Sequence, residues 1–134
     1  MKKKVLFICT HNSARSQMAE GLLKSLAGDR YEVFSAGTEP GAVHPYAVRV
    51  MAEIGVDISL HRSKSVDEFA GHPIDMLITV CDHAKESCPI FPGGAQKIHQ
   101  SFQDPSALTG SDENILTGFR HIRDKIRAWI LDTF

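Results

Sequence analysis

Two runs of apolar residues constrain the fold of this chain more than any other feature. Val5–Cys9 is apolar throughout and Ile74–Val80 is nearly so, a pattern typical of strands that are covered on both faces. Segments of helical periodicity follow such strands, and strands that alternate with helices form a parallel sheet with right-handed crossovers. The sequence therefore predicts an α/β fold with three layers, in which helices flank both faces of a four-stranded parallel sheet.

Hydrophobic periodicity, together with glycine and proline, predicts the other elements. No repeat or linker divides the 134 residues, so we expect one catalytic domain over residues 1–134. The first elements are a helix that buries Met18, Leu22 and Leu26 up to Gly28, a strand over Tyr31–Thr38, and a helix from Pro45 to Gly55 that buries Val48, Met51 and Ile54. The later ones are short helical pieces over Val66–Ala70 and Asp82–Ser87, an edge strand over Gln96–Phe102, and a last helix with an apolar stripe from Ile115 to Ile130.

Charge and cysteine content argue against several classes of protein. A formal net charge of -1 does not favour a nucleic acid or an anionic membrane as partner. The apolar run after Lys4 is too short for a secretory signal, and no run approaches the roughly 18 residues of a membrane span. Three cysteines do not make an even-numbered disulfide framework, which directs attention to thiol chemistry in a reducing compartment. We therefore expect a cytoplasmic monomer without a cofactor.

The segment that follows the first strand has the composition of an oxyanion-binding loop. Five residues separate Cys9 from Arg15, enough for successive backbone N–H groups to converge on an anion at the start of a helix. Arg15 can pair two oxygens of that anion, and Asn12 tolerates a left-handed backbone angle. The same donors predict a lowered pKa for Cys9, with the Ser16 hydroxyl bonded to its sulfur. The expected anion-binding residues are Thr10, His11, Asn12, Ser13, Ala14, Arg15 and Ser16.

This loop resembles the catalytic loop of the low-molecular-weight tyrosine phosphatase superfamily. The resemblance covers the pattern from Cys9 to Ser16 and the order of elements over nearly the whole chain. It implies the fold predicted above and a Cys9 thiolate as nucleophile. Members of one fold carry out different reactions, so the loop alone does not decide the activity.

Two further cysteines favour a reduction over a hydrolysis. Cys81 follows the third predicted strand, at the sheet edge where Cys9 lies, and Cys88 comes seven residues later. Water completes a hydrolysis without further thiols, whereas two thiols that become a disulfide supply two electrons. A zinc site with His83 is an alternative, but four close ligands are not apparent.

The three cysteines are similar to those of the thioredoxin-coupled arsenate reductases within the same superfamily. The resemblance implies that Cys9 attacks arsenate and that Cys81 then displaces arsenite, which leaves a Cys9–Cys81 disulfide. Cys88 next attacks Cys81, and thioredoxin reduces the resulting Cys81–Cys88 disulfide. Phosphate and sulfate are the expected competing anions.

Asp104 is the candidate general acid. Pro105 after it restrains its backbone, and the superfamily places an Asp-Pro pair here in that role. Where some relatives bind potassium, Asn12, Glu20 and Ser35 match ligand positions. Lys64 stands at the place of the acidic ligand, so we expect its ammonium to pair with Glu20 and expect no metal.

Two other functions compete with arsenate reduction. A phosphomonoesterase or phosphotyrosine phosphatase would need only Cys9, Arg15 and Asp104. An oxyanion or redox sensor would use a Cys81–Cys88 disulfide as its signal. Replacing Cys81 or Cys88 separates the reductase from the phosphatase, and multiple-turnover kinetics separates an enzyme from a sensor.

Overall fold

The computed structural model describes residues 2–81 and 95–134. Their backbone forms a four-stranded parallel sheet in the order β2-β1-β3-β4, which confirms the predicted fold class. The strands are β1 (Lys3–Cys9), β2 (Tyr31–Gly37), β3 (Met76–Thr79) and β4 (Gln96–His99). The helices of the described part are α1 (Arg15–Ala27), α2 (Pro45–Ala52) and α3 (Asp112–Thr133), with 3-10 turns at Val66–Phe69 and Pro105–Ala107.

The register of β1 places the ends of three strands together. Cys9 at the end of β1 pairs with Gly37 of β2, and Ile8 pairs with Thr79 of β3. Because all strands are parallel, the loops that leave their carboxyl ends meet at one sheet edge, which is where α/β folds bind ligands. The loop after Cys9 and the residues after Thr79 are therefore neighbours.

The core is centred on β1. Val5, Leu6, Phe7 and Ile8 are completely buried, and because successive side chains of a strand point to opposite faces, both faces of the sheet are covered. Helix α1 packs against β1 and β2, and α3 packs against α1 and α2. Among the described residues, no helix is long and apolar enough to span a bilayer.

Two predicted inner faces and two strand lengths were wrong in detail. Leu26 is 39% exposed, because the buried stripe of α1 turns with the 3.6-residue period and takes in Leu23 instead. Ile54 is 38% exposed, because α2 ends at Ala52 and Ile54 no longer shares the buried face formed by Ala47, Val50 and Met51. Strands β3 and β4 are each shorter than predicted. The predicted helix over 82–87 lies outside the described residues.

Charged residues connect α2 to α3. Glu53, at the end of α2, accepts hydrogen bonds from Arg120 Nε at 3.0 Å and from Arg123 Nη1 at 2.9 Å. Arg123 is buried and also donates to Val50 O at 2.8 Å. Hydrogen bonds from Arg120 and Arg123 lower the pKa of Glu53 from 4.5 to about 2, although partial desolvation opposes them. The ionised carboxylate is therefore part of the α2–α3 contact.

Replacing Glu53 with glutamine should destabilise the protein in a pH-dependent way. A carboxyl whose pKa is lower in the folded state stabilises the fold above its unfolded pKa, and this contribution is lost as the pH falls through the folded value. The difference in Tm between wild type and Glu53→Gln should therefore be present at pH 7 and shrink from pH 4.5 toward pH 2. Thermal unfolding at pH 7, 4 and 3 measures it. Glu32→Gln is the matched control, since Glu32 forms no ion pair with a described residue. A Tm difference between wild type and Glu53→Gln that is equal at all three pH values would contradict the expectation.

Candidate active site

The carbonyl groups of the loop after β1 are all held on its outer side. Each carbonyl from Cys9 to Ser13 accepts a hydrogen bond from surrounding protein, mostly from the backbone of residues 38–44. A peptide unit whose carbonyl is directed outward has its N–H directed to the opposite side. The bonds run to Cys9 O from Thr38 N (3.2 Å), to Thr10 O from Glu39 N (2.8 Å), to His11 O from Gly41 N (3.1 Å), to Asn12 O from Gln17 Nε2 (3.1 Å) and to Ser13 O from His44 N (2.9 Å).

The N–H groups of the same loop converge on the inner side. Within the described residues, no protein group accepts from the N–H of His11, Asn12, Ser13 or Ala14. Helix α1 begins at Arg15 without a side-chain cap, so its first-turn N–H groups add to the same concavity. Unpaired N–H groups in a protein interior are costly, and a ring of them is the arrangement that binds an anion. The loop therefore has the geometry of an anion-binding site.

Asn12 holds the loop in this shape. Its φ angle is 50°, which confirms the predicted left-handed conformation, and the residue is completely buried. Its Nδ2 donates to Ser16 Oγ at 2.8 Å and to Ser35 Oγ at 3.0 Å. Its Oδ1 accepts from Gln17 Nε2 at 3.0 Å and from the backbone N–H of Lys64 at 3.1 Å. The amide thus joins the loop to α1, to β2 and to the segment beyond α2.

The predicted bond between Ser16 and the sulfur of Cys9 does not occur among the described residues. The Ser16 hydroxyl is completely buried and accepts from Asn12 Nδ2 instead. Ser16 therefore contributes to the shape of the loop through Asn12.

Arg15 and Asp104 come together across the sheet edge. Arg15 Nη1 donates to Phe102 O at 3.1 Å, and its Nη2 lies 3.7 Å from Asp104 Oδ2. The arginine side chain is 10% exposed and that of Asp104 is 49% exposed. The guanidinium thus has a fixed position at the loop, while the carboxylate remains accessible to solvent.

A cavity of about 250 Å³ lies over the loop and contains most of the predicted residues. Its floor is the buried sulfur-bearing end of β1, and Asp104 and Pro105 form part of its wall. His11 lines the cavity and is exposed, with Nδ1 at 2.9 Å from Glu39 O. The lining residues are Cys9, His11, Ser13, Ala14, Arg15, Gly41, Ala42, His44, Asp104 and Pro105.

Cys9 and Cys81 form a buried thiol pair. The two residues are 3% and 4% exposed, and both are free cysteines. The Cys81 side chain lies close enough to Cys9 to raise the pKa of its thiol, and Thr10 Oγ1 lies 3.2 Å from Cys81 Sγ. A second sulfur therefore stands beside the nucleophile within the reach of thiol–disulfide exchange.

The predicted lowering of the Cys9 pKa is wrong for this ligand-free arrangement. The hydrogen bond to Cys81 and burial raise the pKa of Cys9 above its ordinary value, and together they exceed the lowering by Arg15 and by the Thr10 N–H. The prediction considered only the loop, whereas the largest cause is Cys81, which lies two residues beyond the end of β3. Two adjacent buried thiols retain a proton between them more strongly than one thiol in the loop would.

Removing the neighbouring thiol should lower the pKa of Cys9. In Cys81→Ala the largest raising cause is absent, while Arg15 and the Thr10 amide still favour the thiolate. The pH profile of Cys9 alkylation by iodoacetamide should shift to lower pH than in wild type, with peptide mapping used to follow Cys9 alone. Val80→Ala, a buried neighbour without a thiol, serves as control. An unchanged profile in Cys81→Ala would contradict the stated origin of the shift.

Lys64 occupies the position expected of it beside Glu20. Lys64 Nζ is 3.7 Å from Glu20 Oε1, and Lys24 also pairs with this carboxylate. Burial raises the pKa of Glu20, but hydrogen bonds from Lys24 and Ser35 outweigh it and lower the pKa overall. An ammonium group therefore lies where the resemblance places a cation. In the described part of the chain, no cluster of three potential metal ligands occurs.

Cys88 and His83 lie outside the described residues, so the geometry of the second disulfide and of the zinc alternative is not described. Sequence reasoning missed the segment 38–44, whose N–H groups hold the loop carbonyls. It also missed Gln17, which bonds to Asn12 twice and to Arg62 O. Gln17 shares its helix face with Glu20, Gly21 and Lys24, so periodicity places it on the polar side of α1 and gives no signal of its role.

Curated relatives cover nearly the whole chain. An arsenate reductase from Halalkalibacterium halodurans is 44% identical over 125 residues, which is 93% of this chain and 90% of that protein. An arsenate reductase from Bacillus subtilis is 39% identical over 94% of this chain and 91% of its own length.

Solved structures agree with these relatives. An arsenate reductase in its oxidized state superposes with a TM-score of 0.82 at 32% identity, covering 97% of this chain and 95% of that one. A thioredoxin-dependent arsenate reductase from Corynebacterium glutamicum superposes with a TM-score of 0.66 at 29% identity, covering 99% of this chain and 64% of that one. A family model described as low molecular weight phosphotyrosine protein phosphatase matches residues 4–131. The sequence-based resemblance is confirmed, and the chain belongs to the low molecular weight phosphotyrosine protein phosphatase family.

Proposed function

We propose that this protein is an arsenate reductase that receives its electrons from thioredoxin. The observation that carries the proposal is the second buried thiol, Cys81, beside Cys9 at a loop whose N–H groups converge on its inner side. The loop N–H groups can bind a tetrahedral anion, and the two thiols can supply two electrons when they form a disulfide. The names of the relatives, arsenate reductase in two bacterial species and a thioredoxin-dependent one in a third, agree with both parts.

In the first step, the Cys9 thiol passes its proton to an oxygen of the arsenate bound by the loop, and the resulting thiolate attacks the arsenic atom. Arg15 and the loop N–H groups hold the oxygens and stabilise the charge that develops on them. Asp104, accessible at the cavity wall, gives a proton to the departing oxygen, which leaves as water. The product is a covalent adduct between the sulfur of Cys9 and arsenic(V).

In the second step, the sulfur of Cys81 attacks that of Cys9. The sulfur–arsenic bond breaks and its electron pair stays on arsenic, which leaves as arsenite, while Cys9 and Cys81 become a disulfide. Cys88 then attacks Cys81 and releases Cys9 as a thiolate. A thioredoxin dithiol reduces the Cys81–Cys88 disulfide and is itself oxidised. Two electrons thus pass from thioredoxin to each arsenic atom.

The chain is proposed to act as one catalytic domain over residues 1–134, as a cytoplasmic monomer. A reducing compartment keeps such thiols reduced and contains the thiol carrier that the cycle needs. Phosphate and sulfate should compete with arsenate, and one related arsenate reductase was solved in a phosphate-binding state. Neither a membrane nor a nucleic acid takes part.

The direct test is the production of arsenite from arsenate in a recycling system. Purified protein is incubated with arsenate, thioredoxin, thioredoxin reductase and NADPH, and arsenite is measured by chromatography. Several arsenite molecules per protein molecule are expected with thioredoxin and at most one without it. Absence of arsenite in the complete system would refute the proposal.

A phosphatase is the second candidate. Cys9, Arg15 and Asp104 are sufficient for ester hydrolysis, and a related low molecular weight protein tyrosine phosphatase from T. tengcongensis superposes with a TM-score of 0.77 at 27% identity. The buried Cys81 thiol has no task in that reaction. Hydrolysis of p-nitrophenyl phosphate that exceeds arsenate reduction in kcat/KM would favour it.

A further inference from the structure

His44 is held by three contacts at the wall of the anion cavity, one through its backbone and two through its ring. Its backbone N–H donates to Ser13 O at 2.9 Å, which places the residue directly behind the loop. Its Nδ1 accepts from the N–H of Tyr46 at 3.0 Å as the N-cap of α2. Its ring lies 4.8 Å from that of Phe119, centroid to centroid. The ring therefore has one fixed orientation, and none of the steps proposed above uses it.

These contacts determine which nitrogen of His44 carries the proton. A backbone N–H only donates, so Nδ1 must be the acceptor and the neutral ring has its hydrogen on Nε2. Burial lowers the pKa of His44 and so favours the neutral ring at pH 7. Within the described residues, Nε2 has no hydrogen-bond partner. It is also not a buried unpaired atom, since among these residues only Thr38 Oγ1 is one. The Nε2–H group is therefore open to solvent.

We infer that His44 Nε2–H donates a hydrogen bond to the outer oxygen of the bound oxyanion and selects small inorganic oxyanions over phosphate esters. The inference rests on the proposed function, because it assigns a contact in the same cavity. The loop N–H groups and Arg15 bind the oxygens nearest the sulfur. The oxygen on the opposite side is free in phosphate or arsenate, whereas in an ester it carries the organic group. A donor there stabilises the charged oxygen of the unsubstituted anion more strongly than an ester oxygen, which carries less charge.

Two conservative variants separate this contact from the other roles of His44. His44→Asn keeps a side-chain acceptor at the N-cap and the backbone bond to Ser13, but it lacks the Nε2–H. His44→Gln can bring an amide N–H to about the position of Nε2, but it loses the cap. His121→Asn, on the exposed side of α3, is the matched control.

The measurements are phosphate affinity by isothermal titration, KM and kcat for arsenate, KM for p-nitrophenyl phosphate, and Tm. In His44→Asn we expect about ten-fold weaker phosphate binding and a similarly higher arsenate KM, the size of one hydrogen bond to a charged group. Its kcat for arsenate and its KM for the ester should stay within about two-fold of wild type. Its Tm should stay within a few degrees of wild type. His44→Gln should restore most of the phosphate affinity while lowering Tm.

Two results would overturn the inference. One is phosphate affinity in His44→Asn equal to that of wild type. The other is an equal rise in KM for arsenate and for the ester, which would mean that His44 acts through Ser13 on the loop. Phosphate titration needs neither thioredoxin nor turnover, so a wild-type protein that makes no arsenite would refute the proposed function and leave the role of His44 measurable.

Discussion

Replacing Cys81 with serine is expected to lower multiple-turnover arsenate reduction by about a thousand-fold or more, because a hydroxyl does not take part in thiol–disulfide exchange. Hydrolysis of p-nitrophenyl phosphate should remain within a few-fold of wild type. The loop carbonyls are anchored by the N–H groups of residues 38–44 and by Gln17 rather than by Cys81. The anion site should therefore stay formed. Arsenite release with the thioredoxin recycling system and nitrophenol release are measured on the same preparation.

Controls make this result specific to the exchange step. Cys88→Ser should also stop turnover, but it should still allow one arsenite per protein molecule, because Cys9 and Cys81 alone supply two electrons. Cys81→Ser should not release even that one. Sustained arsenite production by Cys81→Ser would refute the assigned role of Cys81, and loss of both reactions together would point to damage to the loop.

Replacing Arg15 with lysine should lower kcat/KM for arsenate by about 10²–10³-fold, the cost of losing one fixed donor to a developing oxyanion. The guanidinium is planar and positioned by Phe102 O at 3.1 Å and by Asp104. A lysine ammonium keeps the charge but does not present two parallel N–H groups to two oxygens. Phosphate affinity, measured by titration, should fall as well.

The matched control is Arg127→Lys on the exposed surface of α3, which should leave both values unchanged. Thermal unfolding of Arg15→Lys tests whether the lost contact with Phe102 O also loosens the fold. If kcat/KM for Arg15→Lys stays within about five-fold of wild type, the loss is far smaller than the loss of one oxyanion donor causes. That result would contradict the bidentate role of Arg15.

Much of the fold and of the loop could be predicted because their signals are local. A buried parallel strand needs an unbroken apolar run, as in Val5–Cys9, and both its faces are covered as expected. Within residues 2–81 and 95–134, Asn12 stands at the one non-glycine position of positive φ, because few other residues adopt that conformation readily. These properties depend on neighbours within one turn or one strand.

The errors arise where a residue distant in sequence supplies the deciding contact. The Ser16 hydroxyl turned to Asn12, which is itself held by Ser35 of β2 and by the backbone of Lys64. The pKa of Cys9 is raised by the thiol of Cys81, which lies just beyond β3. No local pattern reveals such partners, since they depend on how crossovers bring strand ends together.

The sequence by itself determined that a cysteine ends the first buried strand, that five residues and an arginine follow it, and that a parallel sheet contains it. Only the tertiary structure decided which groups surround that sulfur. Residues 71 apart in the chain, Thr10 and Cys81, come within 3.2 Å, and the N–H groups of residues 38–44, together with the Gln17 side chain, direct the loop carbonyls outward. The physical reason is that an anion site needs donors from several elements at one point, and that point exists only after the strands have paired in register.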